Sequence, residues 1–355
     1  MNLGGFSLPA LGWREQTAAG FRPYMAEDLV PGRIALEHKH MYRVYTELGE
    51  LLAEVSGKFR HEAARRSDYP AVGDWVALRV REGEGRATIR AVLPRHSAFV
   101  RKAAGPTEQE QLVAANVDTV FLVQSLNLDF NVRRLERYLT VAWESGAEPV
   151  VVLSKADQCA DTESRIAAAQ AAAPGVPVHA VSSLTGDGID ALRLYLGTGR
   201  TAALLGSSGA GKSTLANLLC GREALKTGGI REGDDRGRHT TTHRELVPLP
   251  SGGLLIDTPG MRELQLWEAS DGLDAAFADV EGIAAACRFA DCRHGKEPGC
   301  AVQAALAEGT LDEARYYNYV KLQKELAFQA RKENKQLQQA EKARWKKIHR
   351  EMRDH

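Results

Sequence analysis

Apolar residues follow two different rhythms along this chain. Between Gly32 and Arg95 apolar and polar positions alternate in five short runs, Ile34–Glu37, Tyr42–Thr46, Leu51–Val55, Trp75–Val80 and Ala87–Val92, with glycine turns between them. Period two marks strands with one buried face, and five in succession predict a small β-barrel. From Asp118 the pattern changes. Apolar runs at Asp118–Ser125, Glu148–Leu153, Val176–Val181 and Thr201–Leu205 read as buried strands. Asn131–Ser145, Asp161–Ala172, Ile189–Leu196 and Lys212–Cys220 read as the helices between and after them. Alternating strand and helix predict a parallel sheet with helices on both faces. Arg244–Leu249 and Leu254–Ile256 read as two further strands, and Glu308–His355 as helices. The expected division is an extension over 1–31, a barrel over 32–105, an α/β domain over 115–266 and a cysteine-bearing helical module over 267–355.

Composition narrows the class. A chain of 355 residues, 44% hydrophobic and 26% charged, reads as a soluble protein of two or three domains. No apolar run approaches the roughly 18 residues of a spanning helix. Met1 to Trp13 lacks the basic-then-apolar order of a signal peptide, so a cytoplasmic protein without a membrane partner is expected. Net charge is zero, which argues against indiscriminate polyanion binding, yet Lys321–His355 holds 11 basic residues against 5 acidic ones. Three of the five cysteines lie within Cys287–Cys300, a spacing that in a reducing compartment points to metal before disulfide.

The α/β segment carries nucleotide chemistry in an unusual order. Gly206, Ser207, Ser208, Gly209, Ala210, Gly211, Lys212 and Ser213, followed by Thr214, lie between a strand and a helix and match a phosphate loop. Its backbone N–H groups and the helix N-terminus face phosphates, Lys212 neutralises β/γ charge and Ser213 ligates magnesium. Asp257, at the end of the strand Leu254–Ile256, begins Asp257-Thr258-Pro259-Gly260 and suits a magnesium aspartate, with the Gly260 N–H in reach of a γ-phosphate. Ser154, Lys155 and Asp157 end an earlier strand as a base reader. The Asp157 carboxylate suits guanine N1–H and N2–H₂, groups that adenine lacks there. Ser182 and Ser183 end the next strand, either offering a backbone N–H to guanine O6 or capping the helix near Ile189.

Ordinary GTPases place the base reader after the phosphate loop and the aspartate. Here it comes first, so one shared site means a circularly permuted GTPase. Gly237–His243 reads as a switch, or else as a threonine run entering the next strand. Spacing does not choose among its threonines, and Thr241 and Thr242 are the magnesium candidates. Met261 stands where many small GTPases carry a water-orienting glutamine, so unaided turnover should be slow, and His239 is the candidate to orient water. A metabolic P-loop ATPase or kinase and a nucleotide-gated RNA-binding module are the competing classes.

Together these motifs, with Gly73-Asp74-Trp75-Val76, Ala115-Asn116-Val117-Asp118 and Gly237-Arg238-His239-Thr240-Thr241-Thr242, resemble the bacterial ribosome small-subunit-dependent GTPase A family (RsgA, also called YjeQ or YloQ). The resemblance implies an OB-fold for the barrel and GTP/GDP with Mg²⁺ in the α/β domain. It also implies a GTPase that binds the small (30S) ribosomal subunit late in its maturation and is stimulated by it, with 16S rRNA as contact and other late assembly factors as company. Ser154 departs from the family's usual asparagine. Cys287, Cys292, His294 and Cys300 form Cys-x4-Cys-x-His-x5-Cys, a donor set for one closed, structural Zn²⁺. Lys39, Arg43, Lys58, Arg60, Arg65 and Arg66 on the barrel and Lys342, Arg344, Lys346, Lys347 and Arg350 near the end are candidate rRNA contacts, Tyr316, Tyr317, Tyr319 and Leu322 should pack on the metal module, and a monomer is expected.

Overall fold

A computed structural model of the chain describes residues 5–38, 41–102, 110–127, 129–221, 244–257, 270–295, 297–328 and 331. They fall into two compact units, Met1–Gln265 and Leu266–His355.

The first unit opens with a short helix, α1 (Glu15–Phe21), and then the barrel: β1 (Val30–His38), β2 (Met41–Thr46), β3 (Gly49–Val55), helix α2 (Gly57–Glu62), β4 (Trp75–Arg81) and β5 (Arg86–Val92). Strand order is β1-β2-β3-β5-β4, and β4 returns to pair with β1, so all five expected strands close on themselves. Ile34, Val44, Leu51, Val76, Leu78 and Ile89 fill the interior. Ser56 starts α2 by accepting the Phe59 N–H at 3.1 Å, an ordinary N-cap.

A hairpin that the apolar pattern did not mark follows, β6 (Ala98–Lys102) against β7 (Glu110–Ala115). The α/β domain then runs β8 (Thr119–Ser125), α3 (Val132–Ser145), β9 (Glu148–Ser154), α4 (Thr162–Ala172), β10 (Val178–Ala180), α5 (Ile189–Arg193), β11 (Thr201–Gly206), α6 (Lys212–Cys220), β12 (Glu245–Pro248) and β13 (Leu254–Asp257). Asn131 and Asp161 cap α3 and α4 through their side chains.

Strand order is β10-β9-β8-β11-β13-β12. The first five are parallel, as expected, but β12 is antiparallel to β13. Residues Leu249 to Gly253 joining them form a tight turn, closed by the Leu249 N–H on Gly253 O at 2.8 Å, and leave no length for a crossover helix. Phe121, Val123, Val150, Val152 and Leu204 point to the face that buries Leu192, Leu215 and Leu219 of α5 and α6. Intervening residues such as Val120, Leu122, Val151 and Leu153 are equally buried on the other face, where α3 packs on β8 and β9.

Edge strand β12 also pairs with β1, Leu36 opposite Glu245, so barrel and α/β sheet share one continuous ladder. Arg43 forms ion pairs with both Glu245 and Glu50, and Tyr45 Oη donates to Leu246 O at 3.3 Å. The Arg43 guanidinium, an expected rRNA contact, is thus engaged at the seam by two carboxylates.

Beneath the seam lies a buried polar junction built from the Gly-Asp-Trp-Val and Ala-Asn-Val-Asp segments. Arg33, 1% exposed, donates to the carbonyls of Gly73 (3.2 Å), Asn116 (2.9 Å) and Leu11, and its guanidinium lies 5.6 Å from the Trp75 ring centre. Burial, partly offset by Asp118, lowers the Arg33 pKa to about 10, so the group stays charged at neutral pH. Asn116 donates to Gly73 O at 3.1 Å and accepts the His96 N–H at 3.1 Å. Asp74 accepts from two of the three Arg95 nitrogens, each at 2.8 Å. Asp118 accepts the Thr201 N–H at 2.8 Å and faces Arg14 at 2.6 Å and His96 at 3.4 Å. Burial alone would raise the Asp118 pKa, but hydrogen bonds from His96, Arg14 and Thr201 outweigh it and hold the carboxyl well below the usual range. The N-terminal segment, whose order the sequence leaves open, completes the junction by burying Leu11 and Phe21 and setting Trp13 edge-on to Trp75 at 4.8 Å.

The second unit contains α7 (Ser270–Ala276), α8 (Ala278–Ala284) and α9 (Ala301–Glu308), then helical residues 313–328. Leu273, Phe277, Val280, Val302, Tyr319 and Leu322 are buried. Arg315 grips Asp279 with two nitrogens, 2.6 and 2.8 Å, and stacks over Phe277 at 4.7 Å. Tyr319 and Leu322 are buried, Tyr319 with its ring 5.5 Å from that of Phe277, whereas Tyr317 is 63% exposed, against the expectation that it packs. Lys39 and the five basic candidates from Lys342 to Arg350 lie outside the described residues.

Two outcomes follow from the junction. Gly73 has φ +93°, and a Cβ there would lie 2.1 Å from Ala115 O. Gly73→Ala is expected to cost about 2–4 kcal/mol, read by urea unfolding. Since the Asp118 pKa is depressed on folding, its stabilisation is complete above the unfolded value of about 4 and is lost as pH falls below it. Asp118→Asn should therefore lower stability at pH 7 and flatten the acid limb below about pH 5.

Candidate nucleotide site

Parallel strands bring the predicted site residues to one edge of the sheet, at the carboxyl ends of β8, β9, β11 and β13. Gly206 ends β11 where a Cβ would lie 2.2 Å from Val123 O, so the chain can leave the sheet only as glycine. Gly209 and Gly211 have φ of +76° and +85°, the left-handed conformation that glycine adopts without strain, and Gly211 caps α6. Ala210 is buried, Ser208 and Gly209 are exposed, and Lys212, Ser213 and Thr214 form the first turn of α6. Lys212 Nζ reaches back over the loop to Gly206 O (2.7 Å) and Ser207 O (2.5 Å), holding a positive charge above its mouth.

Strand β9 delivers the predicted base-reader residues beside this loop. Ser154, 2% exposed, has its Oγ 2.6 Å from Ala210 O and 3.3 Å from Gln124 O, a direct tie between the end of β9 and the phosphate loop. Lys155 takes a left-handed φ of +58°, which turns the chain into a single helical turn, Ala156–Gln158. Asp157 on that turn accepts a 2.6 Å hydrogen bond from Ser182 Oγ on Oδ1. Ser182 is buried, Ser183 beside it half-buried. Capping of α5 belongs to Gly188 instead, so the capping alternative for the serine pair does not hold. Asp257 ends β13, which runs parallel to β11 with Ala203 opposite Ile256. His239, Thr241, Thr242, Gly260 and Met261 lie outside the described residues.

Sequence reasoning missed one neighbour of the loop. Asp129, in the connection between β8 and α3, accepts from Ser207 Oγ at 2.6 Å and is itself paired with Arg134 at 2.9 Å. A polar residue just beyond the apolar run of β8 was the available signal, shared with any loop residue.

A family profile described as RsgA GTPase matches residues 92–267. The Small ribosomal subunit biogenesis GTPase RsgA of Opitutus terrae is 51% identical over 352 residues, covering 97% of this chain and 96% of that protein. This chain belongs to the RsgA GTPase family. RsgA 1 of Oceanobacillus iheyensis is 50% identical over 317 residues, 89% of this chain and 90% of its own length. Among solved structures, YjeQ from Thermotoga maritima superposes with a TM-score of 0.63 at 29% identity, covering 84% of this chain and 99% of that one. YloQ, described as a circularly permuted GTPase, gives 0.62 at 26% identity, covering 86% and 97%. As an RsgA-family member the protein is a GTP hydrolase with the circularly permuted fold, which removes the ATPase and kinase alternatives.

This RsgA-family chain carries a second candidate centre in its Leu266–His355 unit. Ligand atoms of Cys287, Cys292, His294 and Cys300 all lie within 4.8 Å of one another. Cys287 Sγ is 3.5 Å from His294 Nδ1 and 3.9 Å from Cys300 Sγ, and Cys300 Sγ is 3.6 Å from His294 Nδ1. A tetrahedron with metal–sulfur bonds of about 2.3 Å and metal–nitrogen bonds of about 2.0 Å has edges of roughly 3.5–3.8 Å, so these donors fit such an ion. His294 reaches its place through a left-handed φ of +56° and is anchored by Gln303 Nε2 on its carbonyl at 2.6 Å. Cys159 and Cys220 stand apart from this group. The expected outcome is one tightly held divalent ion per chain by elemental analysis, lost in Cys292→Ser while Cys159→Ser retains it.

Proposed function

We propose that this protein hydrolyses GTP on the maturing small ribosomal subunit, late in its assembly, and that the subunit stimulates the hydrolysis. One observation carries the reading: 51% identity, over 97% of the chain, to a protein named for small ribosomal subunit biogenesis. The proposed place of action is the cytoplasm and the proposed state a monomer; among the described residues no helix is long and apolar enough to cross a membrane.

The surroundings of Asp157 and Lys212 support the roles that their motifs suggest, and the remaining nucleotide-site roles rest on the motifs alone. Asp157, oriented by Ser182, reads the guanine N1–H and N2–H₂, and the Lys155 stem packs over the ring. Ser183 offers its backbone N–H to O6. Residues Gly206–Thr214 cradle the phosphates, with Lys212 neutralising the β and γ groups. Ser213, Asp257 and a switch threonine, Thr241 or Thr242, would hold Mg²⁺, which would neutralise charge developing on the phosphates. The Gly260 N–H would reach the γ-phosphate, and His239 would orient the attacking water once the subunit is bound. The Cys₃His cluster holds one structural Zn²⁺ with every ligand position supplied by protein.

Permutation gives this arrangement its output. Beyond Asp257 the chain runs directly into the unit that bears the cysteine cluster, so a γ-phosphate-dependent shift there is passed along the backbone. Contacts to 16S rRNA fall to the barrel, through Lys58, Arg60, Arg65 and Arg66, and to the basic C-terminal residues. Reciprocity then requires that if GTP strengthens subunit binding, the subunit strengthens GTP binding by the same factor.

Steady-state hydrolysis of GTP and ATP, with and without purified small subunits, tests the reading. GTP-selective turnover that rises by at least about 10²-fold with the subunit is expected, given that partner-completed GTPase sites gain on the order of 10³–10⁵. Equal rates with and without the subunit would overturn it. In the same assay His239→Ala should lose the stimulation and retain GDP affinity.

A further inference from the structure

Ser154 stands at the position to which the family resemblance assigns asparagine, and its hydrogen bonding says what a serine does there. The side chain is 2% exposed, wedged between the end of β9 and the phosphate loop, and a Cβ added at Gly211 would lie only 3.7 Å from its Oγ. A serine hydroxyl has one proton to give. With Ala210 O at 2.6 Å and Gln124 O at 3.3 Å, both pure acceptors, that proton goes to the nearer carbonyl, and no donor remains for a base. Asparagine would differ, since its amide carries two N–H donors and an acceptor and can hold the loop while still presenting a donor outward.

Guanine presents different chemistry on its two edges. N1–H and N2–H₂ are donors and suit the acceptor-only carboxylate of Asp157. Ser182 occupies one site on Oδ1, and a carboxylate has about four lone-pair positions. N7 is an acceptor and can be read only by a donor. We propose that Ser154 is a loop-positioning residue and that this protein recognises guanine without a donor to N7, so that 7-deazaguanosine nucleotides bind as well as guanosine nucleotides. The proposal rests on Asp157 as base reader. It assigns the loss of one base contact to the residue that keeps the phosphate loop in place, and it confines specificity to the Watson–Crick edge.

Equilibrium affinities of the full-length protein for GDP, 7-deaza-GDP, IDP and ADP test this. GDP and 7-deaza-GDP are expected to bind within about twofold of each other, while IDP, which lacks the N2 amino group, binds at least several-fold more weakly and ADP more weakly still. Ser154→Asn should introduce a preference for GDP over 7-deaza-GDP of roughly two- to tenfold, the worth of one ordinary hydrogen bond. Ser154→Ala should weaken both nucleotides together and leave their ratio unchanged, which a direct contact from Ser154 to N7 would not. A wild-type preference for GDP over 7-deaza-GDP above about fivefold, with GDP still favoured over IDP, overturns the N7 inference alone. Equal binding of GDP, IDP and ADP overturns the Asp157 reading and the inference with it. Both distinctions are made on the wild-type protein and stand even if the asparagine variant fails to fold.

Discussion

Arg33 is the charge around which the first unit is arranged. A guanidinium taken wholly out of water must have its N–H groups met, and here they are met by backbone carbonyls of Leu11, Gly73 and Asn116, from three separate parts of the chain. Those carbonyls cannot drift without stranding a buried cation. Barrel, N-terminal segment and α/β domain are thereby fixed to one another by geometry that apolar packing alone would leave looser. Gly73 and Asn116 accept their backbone conformations, φ +93° and +54°, in order to present these groups.

A rigid junction matters because of what lies downstream of it. Asp118, on the same junction, holds the Thr201 N–H and thus the start of β11, the strand that ends in the phosphate loop. The sheet then carries that placement from one end of β11 to the other, where Gly206 passes against Val123 and Ser154 ties the loop to β9. The proposed nucleotide site at one edge of the sheet is referenced through a single strand to the Arg33 junction at the opposite edge.

The barrel strands and the strand–helix alternation were legible because burial on one face or both imposes its own period on sequence. The glycine-rich loop after β11 was legible because its left-handed turns and its close pass against Val123 require glycine. Harder to see were relations between distant segments. Asp74 and Asp118 look like ordinary acidic residues until Arg95 and Arg14 are brought to them by the fold. Arg43 looks like a free surface cation until Glu245 arrives from some two hundred residues away. Antiparallel β12 was missed as such because direction is decided by the length of a turn, and the β6–β7 hairpin because its apolar run is short. Asp129 and Ser182 acquire meaning only from their neighbours in space.

Pairing of β1 with β12 also sets an order of events during synthesis. The barrel can close as soon as β5 has emerged, since β4 and β5 complete its ring. Its seam with the sheet must wait for Glu245, which at about 5–20 residues per second leaves the ribosome on the order of ten seconds or more later. Throughout that interval β1 lacks β12 at Leu36, and the guanidinium of Arg43 has Glu50 but not yet Glu245. Docking of the two sheets is therefore a late step, and a long-range one, for which the closed barrel serves as a preassembled template.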